Sequence, residues 1–435
     1  VVVALAVVTV PLWLHKHAIF SVAEESTPVV PDGYPAYCAS ALKPDGVARA
    51  SVGVNAVRHT KGAITRPVLA LVEAAKKPLS LSNEDSAVAE THTVLKLSRI
   101  LEPASSYPEE AYSGRGVVIV GGGVKYTPPA YACVHFLRKA GCTLPIEVWL
   151  PPSEPVPEIV ANEFTPLGAT VRQLADEFPE GTLTGVKKFV YKPAAILASS
   201  FSEVFLLDAD NLPIQDPSYL FDHPLYSAHG LLMWQDFWPC QAQNKTWELL
   251  GIPENRRPLG SHESGQMIVD KRRGWQPLLL SLYLNLRGDI FYSMFSEIGQ
   301  GDKETYPFAW LALNQTYGLV PFGVYALGYI ESGEHRGTAM LQRGPDGSAL
   351  FVHAHMPKVD LRVEDHFEKR NWNVLTGKIS VIPSGTQRSA WGDYRLLNAA
   401  AGYDMELELH HLRQMLRCKR IWVDFALNHT VTGKL

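Results

Sequence analysis

An α/β fold on a doubly wound, mostly parallel central sheet is the architecture this chain predicts, and three observations point to it. Short apolar runs recur with helical segments between them, at the spacing of βαβ units. The first run, Val117-Val118-Ile119-Val120, ends in the turn Gly121-Gly122-Gly123 ahead of a helix. A later run, Val204-Phe205-Leu206-Leu207, passes directly into Asp208-Ala209-Asp210-Asn211. Two carboxylates therefore stand where a strand buried on both faces opens to solvent.

Taken in order, the alternation begins at Gly116 with the first strand. A helix over residues 129–140 follows, opened by Pro128 and Pro129 because proline is tolerated in a first turn. The run Ile146-Glu147-Val148-Trp149-Leu150 is a second strand, then come a helix over 157–164, a strand over 170–174, a helix over 191–200 and the strand entering Asp208. Beyond Asp210 the alternation breaks. Residues 230–234 and 266–269 read as strands, 302–317 as a helix with Asp302 placed to cap it, 350–353 as a short strand and 394–417 as mostly helix.

The ends have a different character. The first fourteen residues, VVVALAVVTVPLWL, are apolar and are followed by His15-Lys16-His17. They read as the trailing part of a signal anchor, since about 20 apolar residues are needed to span a bilayer. Residues 15–60 are rich in Pro, Gly, Ala and Val without periodicity and read as a stem. Helical patterns over 68–77 and 84–101 read as a brace on a catalytic domain over 61–360, and 361–435 as a mostly helical C-terminal extension.

The 435 residues are 46% hydrophobic and 19% charged with a formal net charge of −4, the balance of a globular protein. No polybasic run is present, which excludes nucleic acid as a partner. Five cysteines, Cys38, Cys133, Cys142, Cys240 and Cys418, show no zinc spacing. Acceptor sequons at Asn244, Asn314 and Asn428 agree with a lumenal compartment.

An Asp-x-Asp triplet is weak alone in a chain this long; its place after a buried strand gives it weight. Two acidic groups one residue apart at the carboxyl end of a parallel strand suit a hard divalent cation carrying phosphate oxygens. Gly121, Gly122 and Gly123 let backbone approach a nucleotide, although Tyr126 replaces the last glycine of a dinucleotide fingerprint. A tight turn without a ligand is the competing reading. Lys192, at the head of the helix before Asp208, reads equally as a diphosphate contact or a solvated residue, and Lys187 as solvated. His262-Glu263-Ser264-Gly265-Gln266 is not a zinc-protease motif, because Gln266 stands where the second histidine is required; it reads as a sugar-contacting loop. His353 and His355, near a strand end, offer the imidazole that the aspartates leave room for, and Lys358 a cation for phosphate charge. Side chains two residues apart share a face, so alternation does not choose between the histidines. His410 and His411 sit in a helical run and carry no assigned role.

Several of these segments in order resemble the fungal α-mannosyltransferases of glycosyltransferase family 71. They are VVIVGGG, LPIEVWLP, KPAAILASSFSEVFLLDADNLPIQDP, Met233 to Trp238, Glu263 to Gln266, Gly301 to Thr305, and Phe351 to His353, spanning about residues 85–360. The resemblance implies a GT-A nucleotide-sugar transferase fold, a single-pass type II Golgi membrane protein, a GDP-mannose donor, Mn2+ and retention of the α configuration at a glycan or glycoprotein acceptor. It also implies that Asp208 and Asp210 hold the metal with His353, that Gln266 lies beneath the sugar and that Asp302 faces sugar or acceptor. The stretch after residue 360 carries no resemblance. Another nucleotide sugar such as UDP-galactose, or a non-catalytic lumenal carbohydrate-binding protein, are the alternatives.

Overall fold

The computed structural model describes Leu71 and residues 106–432, apart from 298–299, 333, 356–357, 363–369, 373 and 380–393. The expected anchor, stem and second brace helix lie outside the described residues, as does all of the first brace helix except Leu71.

The first half of the fold is a run of parallel strands: β1 (Arg115–Val120), α1 (Gly123–Lys139), β2 (Ile146–Leu150), α2 (Glu158–Ala161), β3 (Ala169–Gln173), α3 (Tyr191–Ala198) and β4 (Glu203–Asp208). β1 lies between β2 and β4 and is parallel to both. Its unbroken apolar sequence follows, because both faces are covered. Val117 and Ile119 join Phe205 and Leu207 on the α1 side, while Val118 joins Val204 and Leu206 on the α3 side. Each side chain removed from water in this way contributes roughly 1.5–3 kcal/mol.

After Asp208 the chain leaves the sheet. β5 (Asn211–Pro213) starts a second one, then follow α4 (Pro224–His229), β6 (Leu231–Pro239), α5 (Asn244–Leu250), β7 (Gly260–Asp270), α6 (Trp275–Leu286), α7 (Gly288–Phe295), α8 (Thr305–Ala312) and β8 (Gly318–Leu319). The antiparallel strands β9 (Val324–Glu331), β10 (Glu334–Arg343), β11 (Ala349–His353) and β12 (Val374–Ile379) precede helices α9 (Tyr394–Ala401), α10 (Met405–Cys418) and α11 (Arg420–Thr432). The large sheet runs β3-β2-β1-β4-β7-β6-β8 and the small one β12-β9-β10-β11-β5. β7 is antiparallel to β4 and to β6, and the other pairings of the large sheet are parallel. This is the mostly parallel α/β sheet that the sequence predicts.

Three local expectations are corrected. α1 begins at Gly123, ahead of Pro128 and Pro129, which lie inside it. They remove the backbone donors that the Val124 and Lys125 carbonyls would use; Val124 is half-buried and Lys125 exposed. The segment from His262 to Gln266 is not a loop: it is a buried part of β7, with His262 and Glu263 paired to β6 and Gln266 paired to β4. Asp302 does not cap a helix, since α8 starts at Thr305 and the Asp302 carboxylate turns inward to Lys192. That helix ends at Ala312, shortly before Asn314 takes a left-handed φ of 60°.

The C-terminal helices pack on the sheet's α1 layer. Trp422 is fully buried, edge-on to Tyr131 at 5.3 Å and near Phe164 at 6.4 Å, and Glu408 accepts from His135 at 2.8 Å and pairs with Lys139 at 2.7 Å. Trp422→Ala should therefore cost about 3–5 kcal/mol in denaturant unfolding with a single transition retained. An unchanged midpoint would show that these helices contribute nothing to the core.

Candidate active site

The apolar run of β4 delivers Asp208 to the carboxyl edge of the large sheet, in register with Val120, so the turn at Gly121 lies beside it. Two residues on, β5 pairs with β11, placing His353 opposite Asn211, and the Ala354 amide donates to the Asp210 carbonyl at 2.8 Å. The end of β11 is thereby fixed on the aspartate turn. His353 directs Nε2 to Asp210 Oδ1 at 3.3 Å and to Asp208 Oδ2 at 3.8 Å, with Nδ1 3.8 Å from Glu263 Oε1. Gly265 makes room for the ring, because a Cβ there would fall 2.5 Å from His353 Cε1.

Two lysines flank the pair. Lys192 Nζ lies 2.8 Å from Asp208 Oδ1 and 3.5 Å from Asp302 Oδ2, and donates to the Ser264 hydroxyl at 3.2 Å. Lys358 Nζ lies 2.6 Å from Asp210 Oδ2 and 5.1 Å from the centre of the Tyr126 ring. Burial disfavours charge on Lys192 and Lys358, but the aspartates outweigh it and raise both pKa values. Burial would also raise the Asp210 pKa, yet His353 and Lys358 hold it well below the carboxylate range. For His353 burial opposes charge and Asp210 overcomes it, lifting the pKa to about 9. Burial lifts the Glu263 and Asp302 carboxyls upward, with His353 and Lys192 respectively acting against it.

Gln266 is fully buried and accepts from Asn211 Nδ2 at 2.5 Å; the same nitrogen donates to the Gly265 carbonyl at 2.8 Å. Gln266 Nε2, Asn211 Oδ1 and Asp302 Oδ2 make no hydrogen bond of normal geometry among the described residues. A buried polar atom left so costs about 1–3 kcal/mol, which an incoming polar ligand would recover.

The sequence-selected residues Asp208, Asp210, His353, Lys192, Lys358, Asp302 and Gln266 thus lie along one edge of the large sheet, joined by these contacts or by the β4–β7 pairing of Leu207 with Gln266. His355 turns back, its amide donating to the His353 carbonyl at 3.1 Å, and burial together with the neighbouring His353 drives its pKa down to about 3. Gly121 packs against Val148, and Gly122 and Gly123 lie under Pro151 and Glu154. Lys187 is exposed. His262 is buried away from any metal role, with Nδ1 2.7 Å from Glu304 and Nε2 2.8 Å from the Tyr317 hydroxyl. The structure adds Glu263 beside His353, Asn211 holding Gln266, and the buried pair Lys303–Asp236 at 2.6 Å. All four positions stand within or next to segments marked in the sequence, and adjacency was the available signal.

Asp208, Asp210 and His353 each offer one ligand atom, all within 4.8 Å of one another. Ligand bonds of about 2.1 Å place neighbouring ligands of an octahedron roughly 3 Å apart, so the carboxylate–imidazole separations suit a divalent cation. Two oxygens and an imidazole leave further positions for phosphate oxygens.

The family model described as "Mannosyltransferase putative" matches residues 114–257 and 252–344, together more than half of the chain. Alpha-1,2-mannosyltransferase MNN21 of Candida albicans is 28% identical over 347 residues, 67% of this chain and 52% of the relative. Alpha-1,2-mannosyltransferase MNN2 of Saccharomyces cerevisiae is 31% identical over 283 residues, 54% of this chain and 46% of the relative. The chain spans about half the length of these curated relatives. Among solved structures, the galactosyltransferase LgtC with donor and acceptor sugar analogues aligns at a TM-score of 0.30 and 12% identity, over 46% of this chain and 72% of that one. The chain belongs to the mannosyltransferase family whose model it matches.

Proposed function

We propose that the chain is a metal-dependent retaining glycosyltransferase of GT-A type that moves mannose from GDP-mannose to a glycan or glycoprotein acceptor in the secretory pathway. The observation that carries this reading is the convergence of Asp208, Asp210 and His353 beside the buried Gln266 Nε2 and Asn211 Oδ1, which lack a hydrogen bond among the described residues. Membership of the mannosyltransferase family supports the sugar. The lumenal location is supported by exposed sequon residues Asn244 and Asn314 and by Cys418, which is disulfide-bonded. Among the described residues no helix is long and apolar enough to cross a membrane; the proposed type II anchor is residues 1–14 with a stem over 15–60.

Manganese held by Asp208, Asp210 and His353 would offset charge developing on the departing diphosphate. Lys358, hydrogen-bonded to Asp210, is placed to neutralise the same charge, and Lys192 holds Asp208 in orientation while bridging to Asp302. Asp302 and Gln266 supply an acceptor and a donor for sugar hydroxyls. Gln266 is an amide and unsuited to forming a glycosyl ester. Retention then proceeds by front-face attack: the acceptor hydroxyl oxygen bonds to the anomeric carbon, the carbon–phosphate oxygen bond breaks, and the hydroxyl proton passes to the leaving diphosphate. Residues Gly121 to Gly123, at the head of α1, are the proposed seat of the nucleoside end of the donor.

Asp208→Asn and Asp210→Asn should fold with near wild-type spectra and lose mannose transfer from GDP-mannose by roughly a hundredfold or more. Wild-type turnover in either variant contradicts the metal assignment. His353→Ala should abolish manganese-dependent turnover while His355→Ala keeps most of it, measured as kcat/KM across manganese concentrations. The reverse ranking would move the ligand to His355.

A further inference from the structure

Glu154 has no role in the transfer chemistry above, yet it is among the more carefully housed carboxylates of the protein. It follows β2 at the same edge of the sheet as Asp208, in a turn closed by its amide donating to the Pro151 carbonyl at 3.1 Å. Its own carbonyl receives the Gly123 amide at 3.3 Å, which docks this turn on the head of α1. Gly122, at φ 121°, is required there: a Cβ would fall 2.6 Å from Pro151 Cδ and 3.1 Å from Glu154 Cβ. The Glu154 carboxylate, with a side chain only 15% exposed, lies over the glycine turn, Oε2 being 3.2 Å and 3.5 Å from the Cβ positions of residues 122 and 123. Oε1 pairs with Lys188 at 2.5 Å, a lysine that is 68% exposed. A carboxylate has about four lone-pair positions, so a single ammonium on Oε1 leaves acceptor capacity over the turn.

The path from the aspartate pair to Glu154 is continuous. Lys358 contacts Asp210 at one end and the Tyr126 ring at the other. Tyr126 is in the first turn of α1, its amide donating to the Gly122 carbonyl at 3.2 Å, and Gly122 touches Glu154. A nucleoside diphosphate whose phosphates lay by Lys358 would meet the Glu154 turn farther along this same surface.

We propose that Glu154 is the base-specificity residue of the donor site, its carboxylate accepting from the N1–H and the N2 amino group of guanine; this rests on the GDP-mannose reading. A carboxylate can only accept. Guanine presents two adjacent donors on its Watson–Crick edge, matched to the two carboxylate oxygens in a charge-assisted, bidentate pair. Uracil presents a single N3–H between two carbonyl oxygens, which a carboxylate repels. The same contact that selects guanine rejects the base of the commonest alternative donors.

The test is calorimetric titration of GDP, IDP and UDP into the full chain with manganese present, for wild type and Glu154→Gln. IDP keeps N1–H and lacks the N2 amino group. Wild type should bind GDP roughly tenfold or more tightly than IDP, and UDP more weakly than either. Glu154→Gln should lose roughly tenfold to a hundredfold in GDP affinity and bring GDP and IDP to near parity, because its amide NH2 meets a donor, with an unchanged thermal midpoint. If wild type prefers GDP and Glu154→Gln keeps that preference over IDP, the assignment of Glu154 is overturned while the donor reading stands. If wild type prefers UDP, the donor reading falls and this inference falls with it.

Discussion

The carboxylate pair Asp208 and Asp210 is the constraint to which the rest of the structure answers. Strand β4 carries both into a site that also contains Glu263 and Asp302, four acidic groups against Lys192, Lys358 and the His353 imidazole. Burying an ion costs several kcal/mol after relaxation, and partners repay that only with good geometry. Each lysine here is within 3 Å of an aspartate, and each aspartate reaches a cation from a different element. A divalent ion at the Asp208–Asp210–His353 group would complete the neutralisation that the two lysines begin, and a diphosphate carried by it would bring the charge that the lysines then meet.

That arrangement requires two sheets. The large sheet fixes Asp208 through its pairing with β1, and fixes Gln266 through the antiparallel strand β7. The small sheet fixes Asp210 and His353 through the three-residue pairing of β5 with β11. The Asp208–Asp210–His353 group therefore straddles a joint, held from both sides by backbone hydrogen bonds. Helix α8 begins at Thr305, three residues after Asp302, and buries Phe308 and Trp310, while the Asp302 carboxylate lies 3.5 Å from Lys192.

Much of this was legible in the chain. The strand into Asp208 could be read because a parallel strand covered on both faces has no polar alternation, and the covering helices gave their own periodicity. His353 and His355 stay adjacent in the fold, their ring centroids 4.1 Å apart, and it is the His353 imidazole that reaches Asp208 and Asp210, a choice that strand alternation does not express. Less was legible where partners are distant in sequence. The segment from His262 to Gln266 looked like a loop because it is polar, whereas its polar side chains line a site inside a sheet. Glu263 was invisible as a neighbour of His353 because the two lie on different sheets. The glycine turn carried two meanings, and the packing of Pro151 and Glu154 on Gly122 explains that glycine sterically before any ligand is considered.

The central claim is that the Asp208–Asp210–His353 group holds the ion through which the donor diphosphate binds. Calorimetric titration of GDP into the wild-type protein, after chelation and then with manganese restored, tests it most directly. The account predicts that GDP affinity rises tenfold or more on restoring the metal, a change of roughly 1.4 kcal/mol or greater. Equal GDP affinity in the chelated and manganese-loaded protein would contradict it.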